Sequence, residues 1–229
     1  MRWGKKKDDG GSKTQKARAR TMKVIMADPV HAAQVKHLQE ITAPVRQDLA
    51  AIGYHLDWLD DLRLCGEPWI DAIPVLSRWL SIITDPDAKA AIAHNLSFSW
   101  VGNRVTAQLI DEFKKADPEK ASALTWAIAN ALAAVDVTGF EKEFIRLARN
   151  KKYGTARRVL ILRLSKFHDP EAEEAALDLL EDEEVRLCAI TTLSNMKSKR
   201  ALFLLEKLLT HEKSSIRKEA RKAITNIMR

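Results

Sequence analysis

The sequence is short of several residue types, and each shortage excludes a class of protein. Its 229 residues include only two cysteines, Cys65 and Cys188, too few and too far apart for a disulfide framework or a zinc site. Eight glycines and seven prolines are too few for a fibrous chain or an all-β chain rich in tight turns. No apolar run approaches the roughly 18 residues that a membrane-spanning helix needs. The opening MRWGKKKDDGGSK has no apolar core segment, which predicts no secretory signal, and Arg2 stands where N-myristoylation requires glycine. These absences predict a reducing, cytoplasmic setting. Glycine-rich phosphate loops, G-x-S-x-G, H-E-x-x-H and C-x-x-C are missing too, so no catalytic residue, cofactor or metal ligand is assigned and a non-enzyme is expected. What the chain does have is 46% hydrophobic content, ample for a core, and 30% charged residues.

The formal net charge of +7 is unevenly placed. Residues 1–24 hold nine Lys or Arg against Asp8 and Asp9, and residues 196–229 hold ten basic against three acidic groups. The body between them, 25–195, is therefore net −7. A basic footprint for nucleic acid exists only at the two ends. Residues 1–24 are too poor in apolar groups to offset their chain entropy and are expected to be disordered. Trp3 beside Lys5, Lys6 and Lys7 would suit a contact with anionic lipid or nucleic acid, or the stretch is merely a solubilising tail.

A nine-residue block recurs: Ala88–Leu96, Leu124–Leu132, Ala156–Leu164, Val185–Leu193 and Ile216–Ile224, at intervals of 36, 32, 29 and 31 residues. Block positions one, five and nine are apolar in every copy, about 400° and about 800° apart round a helix, so they form one stripe on one face. A second apolar helical pattern precedes each block, at Ile70–Leu80, Arg104–Phe113, Phe140–Arg149, Glu171–Leu180 and Lys199–Leu209. Short polar turns separate the pairs. Asp28-Pro29, Asp85-Pro86, Asp117-Pro118 and Asp169-Pro170 read as helix starts, with Asp accepting from free N–H groups and Pro filling the first position. Helical pairs repeating at this interval predict an all-α chain, an α-solenoid of about five hairpins. Residues 25–66 are expected to cap the array, as helices over Asp28–Ala43 and Val45–Leu64 separated by Pro44, and 67–229 to form it.

The Asp-Pro starts and the V-R-x-x-A-x-x-x-L pattern at Val185, Arg186, Ala189 and Leu193, with Ile216, Arg217, Ala220 and Ile224 as a second copy, resemble the HEAT-repeat family. That resemblance implies an extended concave surface offered to a protein partner. It also implies that the Arg of the motif pairs with acids of adjacent repeats. Some HEAT-like solenoids are similar to alkylpurine DNA glycosylases, which gives nucleic-acid binding as the alternative. That class needs an aromatic-lined pocket, a carboxylate and a basic stripe along the duplex, and the charge-balanced body here lacks the stripe. Similarity to lyase-associated HEAT-like repeats implies a bilin lyase, for which no nucleophile is assigned.

Several residues are candidates for a site. Block position two reads Lys89, Thr125, Arg157, Arg186 and Arg217, a ladder that would suit an acidic peptide or a phosphate backbone, or else staple the stack. Trp100 and Trp126 are candidate aromatic contacts, against packing as the plainer role. His55, Asp57, Asp60 and Asp61 fall within seven residues, as a divalent-metal site or a solvated acidic face, with Asp57 and Asp61 on one side of a helix. The acidic run Glu181–Glu184 suits a helix N-terminus, and Cys188 reads as a small core filler.

Overall fold

The computed structural model describes residues 27–229, in which every regular element is helical. The basic stretch 1–24, with its expected disorder and its contacts at Trp3 and Lys5–Lys7, lies outside the described residues. In chain order the α-helices are α1 (Pro29–Ile41), α2 (Ala43–Ala51), α3 (Ile73–Ile82), α4 (Pro86–Asn95), α5 (Thr106–Lys115) and α6 (Ser122–Ala134). They are followed by α7 (Glu141–Arg149), α8 (Arg157–Leu164), α9 (Pro170–Asp178), α10 (Arg186–Asn195), α11 (Leu202–Lys207) and α12 (Ser214–Met228). Short 3-10 turns fill many of the joints. The predicted pairs are α3–α4, α5–α6, α7–α8, α9–α10 and α11–α12, with each nine-residue block in the second helix or starting one residue ahead of it. The chain divides into two compact units, the first ending at Ala88 and the second running from Lys89 to Arg229.

In the first unit, α2 buries Val45 and Leu49 and packs against α3, which buries Ile73, Leu76 and Leu80. Asp48 ties the two together, accepting from the Trp79 indole N–H at 2.6 Å and pairing with Arg78. Two helix starts are capped as predicted: the Asp28 carboxylate accepts from Val30 N at 2.8 Å, and that of Asp85 from Ala88 N at 2.9 Å. The helix expected over Val45–Leu64 is not continuous. It stops at Ala51 because Gly53 turns the chain at φ 102°, and only a 3-10 turn, Leu59–Leu64, follows. The interruption expected at Pro44 falls at Thr42, between α1 and α2, and Pro44 occupies an early position of α2, where its missing N–H costs nothing.

The second unit is a stack of neighbours. Each helical pair packs on itself, α5 on α6 through α11 on α12, and the second helices form a row in which α6 packs on α8, α8 on α10 and α10 on α12. This order of contacts is that of an all-α solenoid. Block positions one, five and nine are buried in all five copies, except that Ile224 on α12 is half-buried. Each fully buried Leu or Ile of that stripe contributes about 1.5–3 kcal/mol. Polar ties cross between repeats at the far ends of the second helices: the Thr192 hydroxyl donates to Ile161 O at 2.9 Å, Asn226 Nδ2 to Ser194 O at 3.0 Å, and Arg163 to Val135 O at 3.3 Å. Asp169 caps α9 through Glu171 N at 2.8 Å, but Asp117 serves a turn, accepting from Glu119 N, and α6 begins only at Ser122.

One contact of the first unit is sensitive to pH. His37 Nε2 lies 2.8 Å from Asp85 Oδ2, and the hydrogen bond and charge of Asp85 raise the imidazole pKa above its ordinary value. Burial works against the charge of Asp85, yet the N–H of Ala88 and the His37 side chain outweigh it and hold the carboxyl below the usual carboxylate range. The histidine's contribution is complete below its unfolded value, about 6.5, and is lost as pH rises through the raised folded value; the aspartate's is present above about 3.9 and lost as pH falls through the lowered one. The pair therefore stabilises most between about pH 4 and about pH 6.5, and modestly, since His37 is exposed. His37→Gln is expected to lower the melting temperature at pH 5.5 and to leave it unchanged at pH 9. An equal effect at both pH values would contradict the pairing.

Candidate functional site

The residues at block position two do not share one environment. Lys89, at the second unit's start, pairs with Glu112, which also receives Lys115 at 3.0 Å. Burial works against the charge of Glu112, but the hydrogen bonds from the two lysines prevail and keep its carboxyl below the usual range. Thr125 is buried and turns its hydroxyl back to Ala121 O at 3.0 Å. Arg157 has no exposed surface at all. Its Nε donates to Gly154 O at 3.0 Å, and its Nη2 reaches the turn of the next repeat, donating to Asp182 Oδ2 at 3.0 Å and Glu184 Oε2 at 3.2 Å. Arg186, also buried, donates to Leu180 O at 2.6 Å and Glu181 O at 3.3 Å and lies 3.0 Å from His211 Nε2 of the following turn. Half-buried Arg217 donates to His211 O and Glu212 O, each at 2.7 Å.

A ladder facing solvent is thus not what the fold presents at Thr125, Arg157 and Arg186. Their side chains point into the stack because block position two adjoins the buried position one, and a guanidinium there is adjacent to the turn carbonyls. The acidic run Glu181–Glu184 is where Arg157 is received, with Glu183 meeting Lys213 at 3.5 Å. Gly154 completes the arrangement. Its φ of 48° aims its carbonyl at Arg157, and a Cβ added there would stand 3.5 Å from Glu184 Oε1.

The exposed side of the second-helix row lies one position further on. Block positions three and seven are four residues apart, on one face of each helix. They read Trp126 and Asn130 on α6, Arg158 and Leu162 on α8, Leu187 and Thr191 on α10, and Lys218 and Lys222 on α12. Three large apolar side chains stand out in this row, Trp126 at 38%, Leu162 at 38% and Leu187 at 42% exposure. Single exposed apolar residues are ordinary on any protein; three on the same face of adjacent helices, two at position three and Leu162 one turn on at position seven, form a face. Trp100 is placed elsewhere, in the 3-10 turn Ser99–Val101, stacked on Phe98 with ring centroids 5.3 Å apart. Arg158 of the row donates to Glu184 O at 3.2 Å.

The acidic pair singled out beside His55 is not brought together by the fold. Asp61 accepts from Trp58 N at 2.8 Å, and Asp57 lies outside any helix, so these two carboxylates do not share the helical face expected of them. Among the described residues no three His, Cys, Asp or Glu groups are placed to hold a metal ion. Burial raises the pKa of both thiols, Cys65 and Cys188, above the ordinary cysteine value. A surface groove of about 870 Å³ runs past Asp136, Phe140, Arg146, Arg163 and His168. Its Asp136 accepts from both the hydroxyl and the N–H of Thr138, which hold its carboxyl below the usual carboxylate range.

The geometry at Arg157 yields a stability prediction. Truncating a buried cation removes packing and leaves its carboxylates unmatched; Glu184 is partly exposed and regains water, so Arg157→Ala is expected to cost about 2–4 kcal/mol. Gly154→Ala, strained at positive φ, is expected to cost about 1 kcal/mol or more. Urea unfolding measures both, and unchanged midpoints would contradict the assigned roles.

Residues 141–225, from α7 into α12, match the family model for HEAT repeats. No curated protein and no solved structure matches the chain. The stacked pairs, the buried apolar stripe and the match agree in showing HEAT repeats over residues 141–225.

Proposed function

We propose that the protein is a non-catalytic, cytoplasmic interaction module that holds a protein partner on the exposed face of its second-helix row. The observation that carries this reading is the alignment of Trp126, Leu162 and Leu187 on one exposed face, at block position three on α6 and α10 and position seven on α8. Aromatic and aliphatic anchors at the centre of a face supply most of the energy of protein interfaces, while the residues round them exclude water. The polar groups beside them, Asn130, Arg158 and Thr191, suit a rim of hydrogen bonds. HEAT repeats generally serve protein–protein interaction, which favours the same conclusion. The nucleic-acid alternative is weakened because the cations it would line up, Arg157 and Arg186, are buried and bonded inside the stack.

The face and the ladder therefore take different roles in this proposal: position two staples the repeats, and positions three and seven meet the partner. Trp126→Ala with Leu187→Ser is expected to weaken partner retention at least about tenfold, as loss of an anchor does. The melting temperature should change little, since both side chains are substantially exposed. A photo-crosslinking residue at Asn130 or Thr191 is expected to capture the partner in cells, and one at Glu174 on α9 is not. Capture from Glu174 alone would contradict the choice of face.

A further inference from the structure

We propose that the occupant of this face is a peptide segment, apolar along the part that crosses α6, α8 and α10 and acidic at the end that meets α12. This rests on the reading of the face as a protein-binding surface and adds the chemistry and direction of its ligand. None of the eight residues at positions three and seven of α6, α8, α10 and α12 is acidic, although the body 25–195 carries a net charge of −7. The exposed acids of this unit gather instead in the turns and on the first helices, as with Glu174 on α9 and Glu183.

Along the row the character changes at α12, the one earlier cation, Arg158 on α8, being held by Glu184 O. Trp126, Leu162 and Leu187 make its apolar stretch, and α12 then presents Lys218, Arg221 and Lys222. Lys222 is matched by Glu219 at 2.7 Å, whereas Lys218 and Arg221 have no ion partner among the described residues. Two unmatched cations beside an apolar strip favour carboxylates that continue from an apolar segment. A phosphate backbone would instead want cations spaced along the whole row, whereas α6 and α10 present none at positions three and seven and Arg158 of α8 is held by Glu184 O. Adjacent packed helices lie about 8–10 Å apart. An extended chain advances about 3.3 Å per residue, so about three residues carry it from one helix to the next and about ten span the four, within a twelve-residue peptide.

The test is selection of random twelve-residue peptides displayed against the full chain, followed by fluorescence anisotropy of the winners. The expected winners combine Leu- or Phe-type residues with a cluster of Asp or Glu at one end. Their affinity should fall at least tenfold for Lys218→Glu with Arg221→Glu, and at least tenfold for Trp126→Ala with Leu187→Ser. Unchanged thermal melts confirm that both variants are folded. Basic or uncharged winners whose binding still depends on Trp126 and Leu187 would overturn this inference and leave the face reading standing. Winners indifferent to both pairs, or no winners, would overturn both. So would a twenty-nucleotide DNA bound more tightly than any peptide and lost with the Lys218 and Arg221 changes.

Discussion

A guanidinium with no exposed surface has to find its hydrogen bonds within the protein, and the partners available to Arg157 belong partly to its own repeat and partly to the next. One nitrogen holds the carbonyl of Gly154 and another holds the carboxylates of Asp182 and Glu184, so one side chain fixes the spacing and register of two successive helical pairs. The same logic recurs with different chemistry along the stack. Lys89 meets Glu112, Arg186 bridges the carbonyls of its own turn to His211, and Thr192 and Asn226 close the opposite ends onto Ile161 and Ser194. Apolar burial supplies the driving force, while these bonds select one arrangement among the many that slippery apolar faces would permit.

Nine-residue blocks of this kind distribute three duties by position. Positions one, five and nine face inward and make the core. Position two, one step round the helix, joins repeats at Lys89, Arg157 and Arg186, while Thr125 and Arg217 bond to carbonyls just ahead of them in the chain. Positions three and seven point away from the core, and the copies differ there in chemistry, with Trp126, Leu187 and Lys218 at the same position of three blocks. Function in such an architecture resides in surface composition rather than in a preset catalytic geometry.

Much of the fold was legible because its signals are local and periodic. The stripe of Ile128, Leu132, Leu160, Leu164 and Leu193 repeats at helical spacing, and the Asp-Pro starts announce themselves at Asp28, Asp85 and Asp169. Asp117-Pro118 carries the same letters, yet a turn intervenes before α6, so the dipeptide alone does not distinguish a cap from a turn. The interruption after Ala51 was less legible, since Leu56, Leu59 and Leu62 continue an apolar pattern that a 3-10 turn also satisfies. The candidate site was only partly readable. Arg157 and Arg186 look like a surface column in sequence, because periodicity reports the face of a helix and not whether a long side chain folds back to a turn. The acids that receive Arg157 lie about one repeat away, where no local pattern connects them. Trp126 was visible as a candidate; its company with Leu162 and Leu187 emerges only when exposure is known.

Successive repeats are locked to one another through Arg157 and the acidic turn that follows. A double-mutant cycle between Arg157→Met and Asp182→Asn, followed by urea unfolding, measures that lock directly. The account predicts that the two changes are strongly non-additive, with a coupling energy of about 1–3 kcal/mol. Additivity within about 0.5 kcal/mol would show that the two side chains stabilise the protein independently and would contradict it.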